Sequence, residues 1–103
     1  MHLDLSRQDD ASLIRLVGEL TIYSAAACRQ SLLDLLADLP AAAPRRLDLS
    51  GISEIDTAGL QLLLALLRPS ATTAPTTVIA SSPAVDRCLR LCGQAALLPP
   101  QEG

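Results

Sequence analysis

The sequence predicts an α/β domain on a mostly parallel sheet, and three observations lead there. Four short runs, HLDLS, SLIRLVG, RRLDLSG and TTVIA, are alternating or apolar in the manner of strands. Three longer stretches carry apolar residues at helical spacing. The two kinds alternate as strand, strand, helix, strand, helix, strand, helix. That order implies right-handed crossovers and parallel neighbours, with only the first hairpin strand antiparallel. A sheet of four to five strands with three or more helices is expected, in one domain over residues 1–103.

HLDLS alternates as a half-buried strand does, and Gln8, Asp9 and Asp10 supply turn chemistry before SLIRLVG, so the pair reads as a hairpin. From Ser24 the period changes. Ala25, Cys28, Leu32, Leu35, Leu36 and Leu39 fall on one helical stripe, with Gln30, Asp34 and Asp38 opposite. Ser24 is suited to cap this helix and Pro40 to close it. In RRLDLSG, Leu47 and Leu49 point one way and Asp48 and Ser50 the other, a strand buried on one face. Asp48 and Arg15 then face each other across neighbouring strands as an ion pair. A second helix runs from near Thr57 to before Pro69. After TTVIA, Ser82 and Pro83 open a last helix, PAVDRCLRLCG, with Gly93 just past its end. The tail LLPPQEG is expected to lay Leu97 and Leu98 on the body and then fray.

Composition excludes several functions. Half the residues are hydrophobic, yet Tyr23 is the only aromatic, and the net charge is −3. Nucleic-acid binders are normally basic and stack bases on aromatic or Arg planes, so none is expected as a partner. Arg45 with Arg46, and Arg87 with Arg90, read as solvated surface. Cys28, Cys88 and Cys92 read as small buried hydrophobes in a reducing compartment. With His2 as the only histidine, neither a zinc site nor a nucleophilic dyad can be assembled. No Gly-rich phosphate loop occurs, and no cofactor or enzyme activity is expected. Met1 leads into HLDLSRQDD instead of a basic and apolar leader, and Leu60–Leu67 is too short to cross a bilayer. The expected location is the cytoplasm, without direct membrane insertion.

Three stretches carry a family likeness. LVGELTIYSAAACRQSLL, LDLSGISEIDTAGLQLLL and VIASSPAVDRCLRLCG, in this order and spacing, resemble the STAS domain, the fold of anti-sigma-factor antagonists. The resemblance spans roughly residues 3 to 98 and is most specific at DLSG–IDTAGL. It implies a bacterial signalling module without catalysis. A Ser or Thr after the third strand is phosphorylated by an anti-sigma kinase and restored by a phosphatase. The unmodified form binds the anti-sigma factor, and the modified form releases it. Asp56 matches the family's Asp, Thr57 its first hydroxyl position, and Ala58 stands where sporulation-type members carry phosphoserine. Either Thr57 takes the phosphate, or this chain is not phosphorylated. GELT also places Thr21 where an acid often sits. DTAGLQLLL is similar to chemotaxis-associated STAS proteins, and IDTAGLQLLLALL to the small STAS subunit of bacterial lipid-transport ABC complexes. The implied partner is therefore an anti-sigma factor or serine kinase, a chemotaxis signalling protein, or a transporter ATPase. A weak homodimer is also open.

The residues offer a reading of their own. Thr57 at a helix start is either a plain capping residue or a switch. A phosphate there meets the positive helix end, but adds about 1.5 to 2 negative charges beside Glu54 and Asp56. Ala58 and Gly59 would give a partner close access. Leu60, Leu63, Leu64 and Leu67 cluster within about 100° as a core stripe, leaving Leu62 and Leu66 on the other side. An outward leucine pair beside Thr57 reads as a docking ledge, unless another segment covers it. Tyr23 and Ser24 are expected at the same end of the sheet, Tyr23 as an interface anchor or as a ring resting on the core.

Overall fold

The computed structural model describes residues 2–68 and 71–99. Strand β1 (His2–Gln8) and strand β2 (Ala11–Leu20) form the antiparallel hairpin, turning through Asp9 and Asp10. Helix α1 (Ala25–Ala37) crosses to strand β3 (Arg45–Ile55), and helix α2 (Thr57–Leu67) crosses to strand β4 (Thr76–Ser81). Helix α3 (Pro83–Leu91) and a single 3₁₀ turn (Ala95–Leu97) follow. The sheet order is β1-β2-β3-β4, with β2-β3 and β3-β4 parallel. Four strands and three α-helices thus meet the expected fold class.

One face of the sheet is covered. Ile14, Leu16 and Leu20 of β2, Leu47, Leu49 and Ile52 of β3 and Val78 of β4 join Cys28, Leu32, Leu63, Val85 and Leu89 of the helices in one core. The other face mixes polar residues with Leu13, Val17 and Ile79, and there Arg15 meets Asp48 at 3.8 Å as the alternation requires. Strict alternation would send Ile52 to the polar face, because Leu47 and Leu49 are odd-numbered. Register shifts against β2 insert an extra residue into β3 after Asp48 and restore Ile52 to the core. Strand β4 pairs only with Arg45–Leu49 of β3. Ser82 donates to Leu49 O at 3.2 Å, and then Pro83, which has no N–H, opens α3 beside the second half of β3.

The helix ends follow from single residues. Ser82 accepts from Val85 N at 3.2 Å to cap α3. At its far end, Gly93 N reaches Arg90 O and Gln94 N reaches Leu89 O, at 3.2 and 2.7 Å. This closure needs the positive φ of 73° that Gly93 adopts without penalty. Leu98 packs on the core, whereas the expected fraying of residues 100–103 lies outside the described residues.

Candidate functional site

The carboxyl ends of β2 and β3 meet the first turns of α1 and α2, and Asp56 joins them. Asp56 is the residue before α2, in an extended conformation, and its Oδ1 accepts from Gly59 N at 3.1 Å. Its Oδ2 accepts from Ile22 N at 2.8 Å, in the loop between β2 and α1. One carboxylate therefore caps a helix and clasps the neighbouring loop. These backbone hydrogen bonds, from Gly59 first and Ile22 next, hold the Asp56 carboxyl below its ordinary pKa.

That shift fixes the sign of an acid effect. A depressed carboxyl stabilises the fold above its unfolded pKa, near 3.9, and the gain disappears as pH falls through the lower folded value. We therefore expect Asp56→Asn to lower stability at pH 7 and to flatten the loss of stability below about pH 4. Urea unfolding at pH 7, 4 and 3 checks this. Parallel curves for the two proteins would contradict it.

Thr57 is the first residue of α2 and is exposed. Tyr23, 96% exposed, does not rest on the core, and Ile22 beside it is 69% exposed. Leu91, 80% exposed at the end of α3, lies across a groove of about 400 Å³ that it lines with Thr57, Leu60, Arg87 and Cys88. Burial, then the adjacent Cys92, push the Cys88 thiol pKa up, so it is a poor nucleophile. The hydrogen bond from Ile22 N to Asp56 places Tyr23 at the same end of the sheet as Asp56 and Thr57. The sequence reading missed Ile22, Leu91 and Arg87. The signal for Ile22 was an aliphatic residue next to Tyr23 in a turn, with no strand or helix to bury it.

Several expectations need correction. Leu62 is 8% exposed and Leu66 half-buried, because α1 packs over that side of α2. The two leucines are therefore not an outward ledge beside Thr57 but line the seam between α1 and α2. Gly59 is buried against β2, where a Cβ would lie 2.2 Å from Leu20 O, so its smallness serves helix–strand contact and gives a partner no access. Ala58 is half-buried and faces Ala25 and Ala26 of α1. Ser24 sits at the N-cap of α1 but makes no side-chain cap; its hydroxyl donates to Glu19 O at 2.7 Å and accepts from Thr21 N at 3.1 Å. Cys92 is exposed, unlike buried Cys28. Arg45 is half-buried, with its Nε out of contact with solvent.

Fold and site together give a small α/β domain with an exposed threonine, Thr57, at the first turn of α2. A family model described as "Mlab, STAS domain" matches residues 3–99, and the chain belongs to the STAS domain family. An anti-sigma factor antagonist from Mycobacterium paratuberculosis superposes with a TM-score of 0.76 at 26% identity, over 95% of this chain and 82% of that one. The anti-sigma factor antagonist SpoIIAA in its unphosphorylated form gives 0.72 at 21% identity, over 98% and 90%. The phosphorylated form from Bacillus gives 0.65 at 19%, over 98% and 93%. These last two show the shared fold. No curated protein matches the chain. Among the described residues, no helix is long and apolar enough to cross a membrane.

Proposed function

We propose that this chain is a protein-docking module of the anti-sigma-factor antagonist kind, which binds its partner through the Thr57 end and releases it when Thr57 is phosphorylated. One observation carries the reading: an exposed Thr57 at the first turn of α2, with Ile22, Tyr23 and Leu91 exposed at the same end. Apolar side chains supply contact area, and a polar residue among them is where an added charge acts on the contact. The likeness to an anti-sigma factor antagonist at 26% identity supports it.

The direct test incubates the purified chain with the anti-sigma kinase of its own genome and ATP. Intact mass should show one phosphate, mapped to Thr57 and absent from Thr57→Ala, with loss of the complex as it accumulates. Absence of both a complex and a phosphate would reject the reading. The resemblance of IDTAGLQLLLALL to the small STAS subunit of bacterial lipid-transport ABC complexes offers a second one. In that case co-expression with the ATPase gives a stable complex that carries no phosphate on Thr57.

A further inference from the structure

A second groove, of about 370 Å³, lies on the other side of α2, between α1, α2 and the start of β3. Ile14, Leu32, Leu36, Leu47, Leu62 and Leu66 form an apolar wall, and the segment leading into β4 adds Thr73 and Thr76. Three arginines, Arg29, Arg45 and Arg68, line it too, and among the described residues no Asp or Glu does. In a chain with 11 acidic and 8 basic residues, that separation of charge is not what a solvated surface gives by default. The ion pairs among the described residues, His2–Asp4 and Arg15–Asp48, leave these three arginines out.

Arg45 sharpens the point. It stands two residues before Leu47, so strand alternation places it on the helix-covered face. Its Nε is buried and has no hydrogen-bond partner among the described residues. A guanidinium N–H removed from water without an acceptor is costly, and an anion in the groove would supply the acceptor. Guanidinium groups match the paired oxygens of carboxylates and phosphates. The leucine wall adds the second requirement, an apolar body. The volume falls within the range of about 300 to 1,000 Å³ usual for small-molecule sites.

We infer that this groove binds a single-chain amphiphile with an anionic head, the head held by Arg29, Arg45 and Arg68 and the chain lying on the leucines. The acceptor is either a carboxylate or a phosphate monoester. Calorimetric titration of the purified protein with decanoate, decyl phosphate and decanol, all below micelle-forming concentrations, separates the cases. At least one anion should bind one per chain and at least tenfold more tightly than decanol, and the tighter anion names the head group. Arg45→Gln should weaken that anion about tenfold. Since Arg45 is rooted in the sheet, Arg29→Gln on the exposed side of α1 is the safer variant; it should weaken the anion severalfold and leave decanol unchanged. The inference is overturned if neither anion binds, if decanol binds equally well, or if both variants keep full anion affinity.

Discussion

Replacing Gly59 with alanine is expected to destabilise the protein by about 3 kcal/mol or more, against the gain of about 1 kcal/mol that helix propensity alone would give. The new methyl carbon would stand 2.2 Å from Leu20 O and 2.9 Å from Leu20 Cγ. A flexible side chain could yield, but a carbonyl in a strand cannot yield cheaply. Leu20 O also accepts from Asp56 N at 3.3 Å, so any retreat disturbs the residue that caps α2. For a domain of this size the melting temperature should fall by more than about 10 °C. Thermal unfolding followed by circular dichroism decides between the two signs. A Gly59→Ala protein as stable as the parent would show that α2 does not approach β2 as closely as described.

Thr57→Glu is expected to act in the opposite sense on fold and on binding. At the first turn of α2 the carboxylate meets the positive helix end, so stability should hold or rise by a few tenths of a kcal/mol. Against a docked partner the same charge must be desolvated beside Glu54 and Asp56, with Arg87 the one cation lining the Thr57 groove among the described residues. Stranding a charge in an interface costs about 2 to 5 kcal/mol, so affinity should drop about a hundredfold. Thr57→Val, which keeps the volume and lacks the charge, should stay within a few-fold of the parent. Surface plasmon resonance on the partner, beside a melting curve of each variant, reads both effects. Equal affinity for Thr57→Glu and the parent would remove Thr57 from the contact.

The order and type of the four strands and three α-helices were legible in the sequence, because period two and period 3.6 rarely imitate each other over such lengths, whereas the 3₁₀ turn Ala95–Leu97 was not. The helix boundaries were legible too where a residue acts locally, as Ser82, Pro83 and Gly93 do. What escaped depended on tertiary placement. An angular count separates Leu62 and Leu66 from Leu63, but it cannot say that α1 lies over them; α2 is apolar nearly all round because it has helix and sheet neighbours. Gly59 looked like an opening for a partner because its contact, Leu20 O, lies 39 positions earlier in the chain. Arg45 looked solvated because RR precedes a strand, and nothing in the sequence shows which of the two is carried under the helices. Ile22 and Leu91 were missed for the converse reason: exposure of an apolar residue is set by what fails to cover it.

The early end of β4 has a consequence for self-association. Beyond Leu49, β3 would present a row of unsatisfied backbone groups, and α3 stands there in place of a strand. Proline at the first position of that helix stops the ladder and prevents another chain from continuing it by backbone pairing. Fibril-like stacking is thereby denied a template beside Thr57, and that end of the molecule can display bare aliphatic groups without seeding aggregates.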